Sequence, residues 1–203
     1  MDTIELKKYY RTGGLVDEKT TSPKDLLNKI KTTFGNATLT KDGLTKRPTE
    51  FYEFFINGRP LSAILKEFCK LDNSILDNWV GVLGAFTNIQ SELNTIKRLL
   101  LKQITEQEIR EAFPKDLDKH YLDDGIENYN EELADEEILI YCCAECGDYG
   151  CGGYKVKVDA SDDSIVWTYS DEGKILQFHF DKHQYFQTFD TYRQTIINEN
   201  NSR

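Results

Sequence analysis

The chain has 203 residues, 39% of them hydrophobic and 30% charged, with a formal net charge of -10 at pH 7. That length supports one domain with a core that needs no disulfide staples. No apolar run reaches the ~20 residues of a membrane helix, the start lacks the basic and apolar regions of a secretory signal, and five cysteines suit a reducing compartment better than a secreted disulfide framework. A cytoplasmic protein is expected.

Ile4 to Arg11 is bulky and aromatic and predicts a short strand before Gly13-Gly14. Ser22-Pro23 predicts a helix start, a serine cap followed by proline at the first helical position, with Leu26, Leu27, Ile30 and Phe34 at helical spacing. Asp42-Gly43 is a turn signal within a polar stretch. Phe51 to Ile56 predicts the best strand of the first half, closed by Asn57-Gly58. Leu61, Ile64, Leu65 and Phe68 predict a helix leaving that turn, and Trp79 to Leu83 a short strand.

From Thr87 onward, Ile89, Leu93, Ile96, Leu99 and Leu100 form an amphipathic helical stripe. Thr105-Glu106-Gln107-Glu108 predicts a capping box for a second, short helix that Pro114 stops. After residue 137 the period becomes two. Ile138 to Tyr141, Tyr154 to Val158, Ile165 to Thr168 and Ile175 to Phe180 predict an antiparallel meander. Asp181 is placed to cap a closing helix that presents Tyr185, Phe186, Phe189, Tyr192 and Ile196 on one face. The expected fold is a single α+β domain over 1–203: helices with short strands in 1–113, an acidic connector in 114–137, and a β-meander plus closing helix in 138–203.

Charge divides the chain. Residues 1–110 hold 17 Lys/Arg against 14 Asp/Glu, whereas residues 111–203 hold 8 against 21. Asp116 to Glu137 contains ten acidic side chains opposed only by Lys119. Such a field repels nucleic acid and steers a basic protein toward it. The competing reading is a solvated face with no partner.

Four of the five cysteines lie in Cys142-Cys143-Ala144-Glu145-Cys146-Gly147-Asp148-Tyr149-Gly150-Cys151. Cys143-x-x-Cys146 has the spacing of half a zinc knuckle, and Cys151 supplies a third thiol. A fourth ligand would have to be Cys142, His179 or His183, yet consecutive strand residues point to opposite faces, which separates Cys142 from Cys143. As a redox pair the thiols lack a helix N-terminus to stabilise a thiolate, and Glu145 and Asp148 oppose ionisation. The simplest reading is a bulged hairpin whose glycines adopt positive φ over small buried cysteines. Nucleophile-elbow, phosphate-loop and zinc-protease motifs are all absent from the sequence.

The stretch Cys143 to Gly152 resembles the C-x-x-C-G-D-x-G-C-G signature of a poorly characterised family of small bacterial proteins. Phe55-Ile56-Asn57-Gly58-Arg59-Pro60-Leu61 is similar to that family's early strand and turn. Arg98-Leu99-Leu100 looks like its helix end, and Ile165-Val166-Trp167 like the strand after the loop. Phe178-His179-Phe180-Asp181 with Tyr185 resembles its closing strand and helix. The resemblance implies an oxidoreductase label without a defined reaction, and it carries no catalytic residue. The charged insertion Asp116 to Glu137 departs from the pattern.

These readings combine into an expectation of a non-enzymatic cytoplasmic binding protein, an immunity protein that occludes a basic toxin domain, with no membrane or nucleic-acid partner. The residues expected to meet that partner are Asp116, Asp118, Asp123, Asp124, Glu127, Glu131 and Glu132. No catalytic residue, metal or cofactor is assigned. The alternative is a thiol- or zinc-dependent enzyme or redox protein using the Cys143 to Cys151 loop.

Overall fold

The computed structural model describes residues 1–11, 38–40, 43–45, 50–85, 89–113, 115, 117–134, 136–145, 147 and 151–201. The helix expected from Ser22 to Phe34 lies outside them. So do Asp42, Pro114, Asp116, Cys146 and Asp148.

The fold is α+β, built on two antiparallel sheets. β1 (Ile4–Tyr10) pairs with β4 (Glu50–Ile56), which turns through Asn57-Gly58 into β5 (Arg59–Pro60). Both turn residues have positive φ, the conformation of a tight two-residue hairpin. A separate pair joins β2 (Thr38–Thr40) to β3 (Gly43–Thr45). The second sheet has the order β10-β9-β8-β7-β6, from Lys174–Asp181, Ser164–Asp171, Tyr154–Ala160, Glu137–Cys143 and Trp79–Gly81. The expected meander is therefore present, and the short strand at Trp79 extends it beyond β7.

Two sets of backbone bonds tie the three-stranded sheet to opposite margins of the larger one. Asp2 bridges Phe180 on β10, and its N–H donates to His179 O at 2.6 Å. At the other margin Tyr52 N–H donates to Leu83 O at 2.7 Å. These contacts cover edges that would otherwise present unpaired backbone groups.

The helices are α1 (Leu61–Phe68), α2 (Ile89–Leu99), α3 (Glu106–Glu111), α4 (Lys119–Ala134) and α5 (Lys182–Asn201). Asp181 caps α5 by accepting from Gln184 N–H at 2.8 Å. Thr105 and Glu108 form the expected capping box of α3. The core gathers Phe54, Trp167, Phe180, Tyr185 and Phe189. Its buried polar groups are satisfied in series: Trp167 Nε1–H donates to Tyr185 Oη, which donates to Leu99 O, each at 2.9 Å.

The stretch read as an acidic connector contains α4. Gly125 rests on the Phe113 ring so closely that a Cβ there would fall 2.7 Å from it. Tyr129 is buried and meets Phe113 edge-on, with ring centroids 6.4 Å apart. These aromatic contacts anchor a segment whose composition alone resembles a linker.

Candidate functional site

The expected partner-binding residues divide by their place on α4. Asp118 is the helix cap: its Oδ1 accepts from His120 N–H at 2.9 Å and its carbonyl accepts from Leu122 N–H. Asp123, Asp124, Glu127 and Glu131 are exposed. At ~100° per residue they fall within about 100° of arc, away from the buried Tyr129. Asp123, Glu127 and Glu131 line one side of an open groove with Ile126, Asn130 and Arg110 of α3. Asp116 and the side chain of Glu132 lie outside the described residues.

The local ion pairs on this ridge are exposed. Lys119 Nζ meets Asp123 at 2.8 Å, His120 Nε2 lies 3.6 Å from Asp124, and Arg110 meets Glu106 at 2.9 Å. The Lys119 ammonium holds the Asp123 carboxyl below its ordinary value. Exposed pairs of this type are weak, so an incoming cation displaces them at small cost.

At the cysteine loop, the strand alternation separates the first two thiols as expected. Cys142 is buried and lies 3.8 Å from Val80 O, while Cys143 is half-buried at the end of β7. Cys151 is exposed, so the expectation of buried cysteines fails there: it lies beyond the end of the β7 ladder. Gly153 has φ +148° and approaches Tyr141 O so closely that a Cβ would sit 2.2 Å from it. His179 pairs with Val166, itself opposite Asp159, at the end of β8 remote from the loop. That placement rules out His179 as a fourth ligand. Among the described residues no three His, Cys, Asp or Glu side chains gather as a metal would require.

Two carboxylates that the sequence reading passed over are drawn inside. Glu53 on β4 is fully buried, where Tyr141 Oη and Ser62 N–H donate to its Oε1 and its Oε2 has no hydrogen-bond partner among the described residues. Burial raises its pKa to about 7. Glu92 on α2 accepts from Tyr192 Oη of α5, at a concavity bounded also by Tyr52 and Gly84. These residues come from separate elements, Glu92 and Tyr192 being 100 positions apart. No local motif marks them. The poor alternation of Phe51, Tyr52, Phe54 and Phe55 was the one visible signal: Tyr52 is half-buried while the three phenylalanines are buried.

Comparisons of the chain with family models, curated proteins and solved structures find no match.

Proposed function

We propose that the chain is a non-catalytic binding protein that occludes a basic protein domain through the acidic ridge of α4, as an immunity protein neutralises its toxin. The observation that carries this reading is the exposed arc of Asp123, Asp124, Glu127 and Glu131 on one helix face.

The charge pattern of α4 opposes the helix's own stability. Asp123, Glu127 and Glu131 follow one another at four-residue spacing, where like charges repel. Asp118 caps the N-terminus, but the last turn has no base although the helix dipole favours one there. Glu131 lies near the C-terminal end, where a negative charge is unfavourable. A cationic surface would offset the like-charge repulsion and the C-terminal penalty together. It would also be drawn in by the surrounding negative field.

The test is purification of the tagged chain from its native cell at low and high salt. A stoichiometric basic protein should co-elute at low salt, and its capture should fall when Asp123, Glu127 and Glu131 are changed together to Asn, Gln and Gln. Recovery of the same partner at full yield by that variant would contradict the proposal. Elemental analysis of the same preparation distinguishes the thiol- or zinc-dependent alternative, which requires stoichiometric metal or a reactive thiol at Cys143, Cys146 or Cys151.

A further inference from the structure

The concavity between β4, α2 and α5 has a volume of about 310 Å³, near the lower limit of small-ligand pockets. Its residues do not include the α4 ridge. Phe51, Tyr192 and Ile196 are buried beneath it. The rings of Tyr52 and Tyr192 meet at 63° with centroids 4.5 Å apart, forming an aromatic corner. Around that corner lie three carboxylates, Glu50, Glu92 and Glu199, and one lysine, Lys8.

We infer that this concavity is a binding site for an organic cation, an alkylammonium or guanidinium head group, held against the Tyr52–Tyr192 corner and facing Glu92 and Glu199. Aromatic faces carry negative quadrupole potential and attract such cations within ~6 Å. The chain supplies its own instance: the Lys8 ammonium lies 5.7 Å from the Tyr52 ring centroid. The surrounding carboxylates disfavour anions. A neutral apolar occupant would displace water from Glu92 without compensating its charge.

Glu92 already accepts from Tyr192 Oη and from Gly84 N–H. Burial nevertheless raises its pKa, and the Glu199 charge adds to the effect. An organic cation beside Glu92 and Glu199 would favour the ionised carboxylates that burial disfavours. Its apolar portion would meet Ile89 and Ile196.

Calorimetric titration of the full chain with choline and with N-acetyl-arginine methylamide tests the site, with the neutral carbon isostere of choline as control. At least one cation should bind saturably at one site, and at least tenfold more tightly than the isostere. Tyr52→Leu and Glu92→Gln should each weaken binding about tenfold, the scale of one cation–π or charge contact. Tyr52→Phe should retain binding because it keeps the ring, and Lys8→Met should strengthen it by removing a competing cation. Preference for choline would indicate a free small cation, and preference for the arginine derivative a partner's side chain; both support the site. Failure of both cations to bind, equal binding of the isostere, or a folded Tyr52→Leu chain with unchanged affinity would overturn it.

Discussion

α5 and α4, of 20 and 16 residues, meet the rest of the molecule in opposite ways. α5 buries Tyr185, Phe189, Tyr192 and Ile196 against both sheets. α4 buries Tyr129 and sets Gly125 against Phe113, leaving a ridge of carboxylates outside. The residues of α5 are explained by the core they complete. Those of the α4 ridge weaken their own helix, which directs attention to what lies beyond it.

The largest effect should come from α5. Phe189→Ala should destabilise the fold by ~3–5 kcal/mol through lost burial and a cavity beside Trp167. Denaturant titration measures this, and a loss below ~1 kcal/mol would mean that α5 is not part of the core.

Buried and exposed carboxylates sharpen the contrast. Glu53 has an ordinary value of 4.5 and is raised to about 7 in the fold. Between those values the folded state holds a proton that the unfolded state has released, so stability falls as pH rises through the window and stays reduced above it. Glu53→Gln keeps an acceptor for Tyr141 and Ser62. It should flatten the slope and raise stability at pH 8 by on the order of 2–3 kcal/mol. An unchanged pH profile would contradict the buried-proton account.

Gly125→Leu should press a side chain into Phe113 and destabilise α4 docking by ~1–3 kcal/mol. Hydrogen exchange should show lost protection in α4 while β7 to β10 retain theirs. Uniform loss would show that the two regions unfold together. The smallest effect on stability should come from the Asp123→Asn, Glu127→Gln, Glu131→Gln variant, within ~0.5 kcal/mol of the parent or slightly above it, because like-charge repulsion is relieved. Thermal melting checks this.

The same contrast explains what the sequence revealed. Local chemistry was sufficient for β4 and its Asn57-Gly58 turn, for the Thr105 to Glu108 capping box, for the Asp181 cap and for the period-two meander. It was also sufficient to set Cys142 and Cys143 on opposite faces. α4 was missed because its charged composition and central Gly125 resemble a connector, while its anchor Phe113 belongs to the preceding segment. Glu53 stayed hidden because its burial depends on both faces of β4 being covered. The Tyr52–Glu92–Tyr192 concavity assembles from three distant stretches, and spacing within any one of them carries no trace of it. Of the expected ridge, Asp118 proved to have a capping role that its acidic composition alone did not distinguish.

The most direct measurement compares parent and triple-neutralised chains for capture of a basic partner from the native cell, at low and high salt, with circular dichroism confirming that α4 remains helical. Capture by the parent should be stoichiometric, weaken with salt and collapse in the variant. Equal, salt-insensitive capture by both chains would show that the ridge is not the interface.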